Sequence, residues 1–168
     1  RAFGILKRMG VDFNLILGNE TWLLGESLVE IIAHNQVPYA LYTTCPEPLF
    51  SQHRDKILNV ADNLSCGLDW PLSYLLEKEK NGGLTEDSER KSLDAWRGFQ
   101  WLKTNYPNHD CQGTITVHRK NLPYVPQIVS ELTELGVFCG INFLHWNSDG
   151  GFDFFPSKEE LRGLTIPN

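Results

Sequence analysis

Short apolar runs of strand length alternate with segments of helical periodicity along almost the whole chain, and this alternation constrains the fold most strongly. The predicted strands cover residues 11–17, 38–44, 63–69, 112–118 and 137–144. The predicted helices cover residues 1–9, 27–35, 49–59, 72–80, 87–105 and 123–135, and Gly136 is expected to stop the last one. Strict alternation with short turns requires parallel strands, right-handed crossovers and helices that cover the sheet. The fold class is therefore α/β, and the pattern admits both a barrel and an open doubly wound sheet.

The C-terminal residues depart from this alternation. Ser148-Asp149-Gly150-Gly151 predicts a turn, an aromatic run follows, and Ser157 is placed to cap a short helix over 158–164. We therefore predict a main domain over residues 1–147 and a C-terminal extension over 148–168 that packs on it.

Composition argues against several functions. A net charge of -6 and a pI near 5.3 disfavour nucleic-acid binding, which requires a basic face. No apolar run has the length of a membrane span and no signal peptide is visible, so we expect a cytoplasmic protein without membrane contact. The motifs GxSxG, HExxH, GxGxxG and the P-loop are absent, which disfavours the enzyme classes that depend on them.

The four cysteines, Cys45, Cys66, Cys111 and Cys139, are widely spaced and form no CxxC pair. Zinc and iron–sulfur sites usually take at least two ligands from one short loop. We therefore expect reduced, buried cysteines and no metal ligands in this chain.

Polar residues collect where the predicted strands end, which is where parallel α/β folds bind their ligands. Glu20 could hold an amine, Arg119 a carboxylate, and Asp69 a pair of ribose hydroxyls. This combination suits a small zwitterionic or hydroxylated ligand. A structural interpretation is also open, since Asp69 can simply terminate its strand and His145 can be a hydrogen-bonded structural residue. No catalytic residue is predicted.

Five segments, taken in order, resemble the barrel strands of radical S-adenosylmethionine (SAM) enzymes. Asp12–Glu20 is similar to the second barrel strand, which ends in Gly-Gly-Glu in the family, although Asn19 here replaces the middle glycine. Val37–Thr44 resembles the third strand, and Leu64–Asp69 resembles the fourth, which often carries a Ser-x-Asp pattern. Thr114–Asn121 and Ile141–Leu144 resemble the fifth and the sixth. The resemblance covers the chain from Arg1 to about Phe155.

The resemblance implies a partial TIM-like (β/α)6 barrel that binds SAM as its cofactor. Glu20 would bind the SAM amine, in a turn formed with Gly18 and Asn19. Ser65, Asp69 and Arg119 would hold the ribose and the carboxylate, and Asn142 would lie near the adenine. The full set of cofactor-binding candidates is Gly18, Asn19, Glu20, Thr43, Ser65, Asp69, Thr116, Arg119, Asn142 and His145.

In the family, the first strand is followed by CxxxCxxC, whose thiolates hold a [4Fe–4S] cluster. That motif is absent here, so we expect the first strand and the cluster loop to precede Arg1 in a longer parent enzyme, and this chain alone to be inactive. The resemblance further implies an electron donor such as ferredoxin or flavodoxin and a substrate that the sequence does not identify. Exposed sheet edges make an oligomer possible.

Two other functions are open at this stage. A barrel without a cluster could act as a SAM-binding or scaffold module. An aldolase or isomerase barrel would require a lysine at a strand end or a carboxylate–metal set, and no lysine lies within a predicted strand.

Overall fold

The computed structural model describes residues 8–9, 14–16, 39–43, 61–143 and 156–164, with side chains described for 8–9, 64–142 and 156–164. Five strands form one parallel sheet in the order β1-β2-β3-β4-β5. Their bounds are Asn14–Ile16, Tyr39–Thr43, Ala61–Gly67, Asp110–Val117 and Phe138–Phe143. The five predicted strands and their parallel pairing are confirmed.

The strand order is not that of an open doubly wound sheet, one of the two arrangements that the sequence admits. Each strand pairs with its neighbours in the chain, so the order contains no point at which it reverses. A doubly wound sheet has such a switch point, and right-handed crossovers on either side of it place helices on both faces. When each strand lies beside its neighbour in the chain, right-handed crossovers all lie on the same face of the sheet. In the described part of the chain β1 and β5 are the two edges and are not paired with each other.

The described helices are α1 (Leu72–Lys80), α2 (Asp87–Asn105), α3 (Val125–Leu135) and the short α4 (Lys158–Arg162). A 3₁₀ turn, Leu122–Tyr124, leads into α3. Acidic residues in the first turn of α2, Asp87 and Glu89, favour its N-terminus through the helix dipole. No described helix has the length and apolar character needed to cross a bilayer.

Apolar side chains three residues apart give α2 its buried face. Leu93, Trp96, Phe99 and Leu102 are each at most 2% exposed. They pack against Leu64 and other buried side chains of β3 and β4 in one continuous core. The core therefore lies between the sheet and the helical layer formed by α1, α2 and α3.

The end of α3 is set by Gly136, as the sequence predicts. Gly136 has φ of 72° and ψ of 33°, a left-handed conformation that costs glycine little. The N–H of Val137 donates to Leu132 O at 2.9 Å, and the N–H of Gly136 donates to Thr133 O at 3.0 Å. This is the Schellman hydrogen-bond pattern, and it turns the chain directly into β5.

The C-terminal helix α4 begins with a capping box, in which Ser157 and Glu160 exchange side-chain and backbone hydrogen bonds. Leu161 and Leu164 are partly buried against the core. The proposed domain boundary at residue 147 lies outside the described residues and stays a prediction.

Candidate ligand site at the carboxyl edge of the sheet

The two faces of the sheet carry different kinds of side chain. Ser65 pairs with Gln112, and Thr116 pairs with Asn142. The alternate positions of β3 and β4, such as Cys66 and Ile115, are fully buried on the side of the helices. The opposite side carries hydroxyl, amide and carboxylate groups, and we call it the polar face. It comprises Ser65, Asp69, Gln112, Thr114, Thr116 and Asn142.

Hydrogen bonds fix the centre of the polar face. Ser65 Oγ and Thr114 Oγ1 lie 3.2 Å apart, and Gln112 Nε2 donates to Thr114 Oγ1 at 3.4 Å. Gly140 on β5 makes room for this arrangement, because a Cβ at that position would collide with the Gln112 amide. These groups therefore form a small pre-arranged hydroxyl and amide cluster on the sheet.

Asp69 is held between two elements just beyond the end of β3. Its backbone N–H donates to Ser92 Oγ of α2 at 3.1 Å, and its Oδ1 accepts the N–H of Thr116 on β4 at 3.3 Å. Burial raises the pKa of the Asp69 carboxyl, and the Thr116 hydrogen bond offsets part of that rise. Perturbed carboxyl groups at strand ends are candidates for ligand binding.

The loop after β4 is ordered by Asn121, which is fully buried. Its Oδ1 accepts the N–H of His118 at 2.8 Å, and its Nδ2 donates to Thr116 O at 3.0 Å. The His118 imidazole lies edge-on to the Trp70 ring at 6.1 Å. Burial, assisted by the charge of Lys120, lowers the pKa of His118, so the ring is held toward its neutral form.

Arg119 is paired with a carboxylate of this chain. Its Nε lies 3.3 Å from Glu160 Oε1 of α4, and both side chains are roughly 40% exposed. The Arg119 guanidinium, which was expected to hold a ligand carboxylate, thus contacts α4.

The remaining candidates differ in where they lie. Asn142 is exposed and pairs in register with Thr116, as a site at this edge would require. Thr43 is the last residue of β2. Its register partner on β3 is Cys66, which is buried on the side of the helices, and not Ser65 of the polar face. Gly18, Asn19, Glu20 and His145 lie outside the described residues. The structure therefore brings together Ser65, Asp69, Thr116 and Asn142, with Arg119 on the following loop.

An aromatic cluster beside Asp69 was not predicted. Trp70 stacks on Tyr74 with ring centroids 5.3 Å apart, and Tyr124 lies within 5.7 Å of both rings. Trp70 and Tyr74 are four residues apart at the start of α1, so their contact is local, whereas Tyr124 of the 3₁₀ turn joins them only through the tertiary fold.

A partly buried ion pair, in which Glu89 is buried and Lys78 is one third exposed, adjoins this cluster. Lys78 Nζ lies 2.5 Å from Glu89 Oε1, and Tyr74 also donates to that oxygen at 3.2 Å. Burial raises the pKa of Glu89, but hydrogen bonds, chiefly from Lys78, outweigh it and hold that pKa below its usual range. The other oxygen, Oε2, is buried with no hydrogen-bond partner in the described part of the chain.

The described cysteines do not form a metal site. Cys66 and Cys111 are buried on the helix side, and no group of three or more His, Cys, Asp or Glu side chains among the described residues could hold a metal ion. Cys139 is exposed, contrary to the expectation of burial, because it lies on the edge strand β5.

No protein-family model matches the chain. No curated protein matches it in sequence. Among solved structures, it resembles a domain of pyruvate-formate lyase-activating enzyme from Bacteroides vulgatus, with a TM-score of 0.53 and 14% sequence identity. The match covers 89% of this chain and 88% of that one. At this identity the likeness shows a shared fold.

Proposed function

We propose that this chain is the SAM-binding core of a radical SAM enzyme. The observation that carries the proposal is the fold likeness over 89% of the chain to a domain of an activating enzyme. Pyruvate-formate lyase-activating enzymes are radical SAM enzymes. Five segments of this chain also resemble barrel strands of that family, and this resemblance supports the proposal.

The winding of the sheet supports a partial barrel. In the proposed parent, β1 to β5 are the second to sixth strands of a (β/α)6 barrel, and one further strand lies beside β1. The open edges at β1 and β5 are compatible with such a curved, incomplete sheet.

The polar face supplies groups that match a nucleoside-like ligand. In the proposal, Asp69 accepts from the ribose hydroxyls, while the Ser65 and Thr116 side chains bind other polar atoms of SAM. The Thr116 N–H fixes the Asp69 carboxylate in place before the ligand arrives. Glu20, with Gly18 and Asn19, would hold the amine, and Thr43, Arg119, Asn142 and His145 complete the proposed set.

The cluster of the family does not fit the residues described. Among the described cysteines, Cys66 and Cys111 are buried and Cys139 is exposed, while Cys45 lies outside the described residues. In the proposed parent, thiolates from outside the described residues would hold the [4Fe–4S] cluster, and a ferredoxin or flavodoxin would reduce it. The part assigned to this chain is to bind and orient SAM.

The same cysteine arrangement favours a second candidate, a cluster-free barrel that binds SAM or a similar nucleoside without radical chemistry. Both candidates use the polar face, so SAM binding tests what they share, and iron content separates them.

The test of the shared part is a calorimetric titration of the 168-residue chain with SAM, after circular dichroism has established that each variant is folded. We expect Asp69→Asn to weaken SAM binding by about tenfold or more, because a hydrogen bond to a charged group contributes about 1.5–3 kcal/mol. The matched control is Asp87→Asn, since the Asp87 side chain is 78% exposed on α2 and pairs only locally with Lys91. Failure of the unmodified chain to bind SAM, or equal affinities in the two variants, would overturn the proposal.

A further inference from the structure

A groove of about 340 Å³ opens on the outside of the helical layer, away from the polar face. It is lined by side chains of α1, α2 and α3. Its apolar surface comes from Leu72, Leu76, Trp96 and Leu135, and Leu76 is 45% exposed there. A mostly apolar concavity of this volume lies at the lower end of the range that small-molecule sites occupy.

The charged side chains described in the groove lining are both acidic. Glu131 and Glu134 of α3 both line the groove, together with uncharged Ser73 and Gln100, and no lysine or arginine among the described residues does so. An occupant that matches this surface therefore carries an apolar body and a positive group.

The two carboxylates differ in what they already bind. Glu131 accepts hydrogen bonds from the start of α1, so its oxygens are engaged within the fold. Glu134 accepts only a long hydrogen bond from Ser130, at 3.4 Å, and forms no ion pair within the described residues. Its carboxylate is the one available to a ligand.

The position of Glu134 is unfavourable for the helix that carries it. It lies in the last turn of α3, where the negative end of the helix dipole disfavours a carboxylate, and α3 has no basic residue in that turn. The stability of α3 therefore does not explain an acidic residue at this position. A cationic ligand that pairs with Glu134 would explain it.

We propose that this groove binds a small organic cation, an apolar body bearing one primary ammonium group. The body packs on Leu72, Leu76 and Leu135, and the ammonium group pairs with Glu134. This inference is independent of SAM binding, because the groove and the polar face lie on opposite sides of the sheet.

The test uses three probes with one apolar body and different head groups: 4-phenylbutylamine, 4-phenylbutanol and 4-phenylbutyrate. Binding to the chain is followed by the methyl NMR signals of Leu76, which lines the groove and is exposed there, assigned with a Leu76→Met variant. At low salt we expect the amine to bind about fivefold more tightly than the alcohol, the equivalent of about 1 kcal/mol for an exposed ion pair. The carboxylate probe should bind most weakly, and added salt should reduce the preference for the amine.

Glu134→Gln should abolish the preference for the amine while keeping the binding of the alcohol. Because Glu134 is exposed and poorly placed for α3, this variant should remain folded. Glu77→Gln, an exposed glutamate of α1 outside the groove lining, is the matched control and should keep the preference. The proposal is overturned if no probe perturbs the Leu76 methyl signals, if amine and alcohol bind equally, or if the two variants behave alike. A dimer that covers the groove would also overturn it, since a second copy of the chain would then be the occupant.

Discussion

The Glu131 carboxylate of α3 accepts the backbone N–H of Leu72, the first residue of α1, at 2.5 Å. It also accepts the N–H and the hydroxyl of Ser73. Helix α1 follows Pro71, has no side-chain cap of its own and has no acidic residue in its first turn. A neighbouring helix therefore caps α1 and ties the two helices together below the carboxyl edge of the sheet.

Glu131→Ala should lower the free energy of unfolding by about 1–2 kcal/mol, because it leaves the first N–H groups of α1 without their carboxylate partner. Urea unfolding measures this loss. Glu134→Ala, one turn further along α3, is the matched control and should change stability little or raise it slightly. Equal losses in both variants would show that Glu131 does not act as the cap.

Glu89 should contribute to stability in a pH-dependent way. Its pKa in the folded chain is below the usual value, so the stabilisation is present above the ordinary glutamate pKa of about 4.3 and is lost as pH falls through the folded value. Glu89→Gln removes the charge that Lys78 pairs with and should cost about 1–2 kcal/mol at pH 7. The difference from the unmodified chain should shrink progressively below pH 4, as measured by urea unfolding at several pH values. A difference that is independent of pH would contradict this account of the ion pair.

The contribution of Asp69 to stability should depend on pH in the opposite direction to that of Glu89. Its pKa is raised by burial, so the charged carboxylate destabilises the folded chain near neutral pH, and the penalty disappears as pH falls below the ordinary aspartate pKa. We therefore expect Asp69→Asn to keep or raise thermal stability at pH 7 while it weakens SAM binding. A strong loss of stability would instead identify Asp69 as a purely structural residue that closes β3.

Glu160 competes with any ligand carboxylate for Arg119, because its Oε1 already lies 3.3 Å from the Arg119 Nε. Glu160→Gln removes the charge and keeps an oxygen for the capping box with Ser157. We expect about a two- to threefold gain in SAM affinity, in line with the small strength of exposed ion pairs. The control, Glu159→Gln, changes a neighbouring exposed glutamate of α4. Unchanged affinity in Glu160→Gln would exclude Arg119 from the ligand site.

Local periodicity predicted the described elements well, whereas the predicted helices over 27–35 and 49–59 and nearly all of the one over 1–9 lie outside the described residues. Helices α1 and α2 have the predicted bounds, and α3 ends at Gly136 as expected. Strand ends shifted by about two residues, as with β3, which covers Ala61–Gly67 instead of 63–69. Asp69 therefore lies two residues beyond the end of β3. There its side-chain Oδ1 accepts the N–H of Thr116 on β4.

The long-range contacts could not be predicted in the same way. The Leu72–Glu131 cap joins residues 59 positions apart, and no periodicity indicates that a glutamate of one helix serves another. Arg119 was identified as a cation at a strand end, but its pairing with Glu160 depends on where α4 lies against the core. Side-chain pairing depends on tertiary packing, which a single sequence specifies only through the complete fold.

The central claim is that this chain is the core of an enzyme that cleaves SAM at an iron–sulfur cluster. The most direct test is to purify the protein as its own gene encodes it without oxygen, determine iron and acid-labile sulfide, and assay 5′-deoxyadenosine after reduction with dithionite in the presence of SAM. The account predicts at least about four irons per polypeptide and formation of 5′-deoxyadenosine. A protein that binds SAM but contains no iron and forms no 5′-deoxyadenosine would contradict the claim and identify the barrel as a binding module.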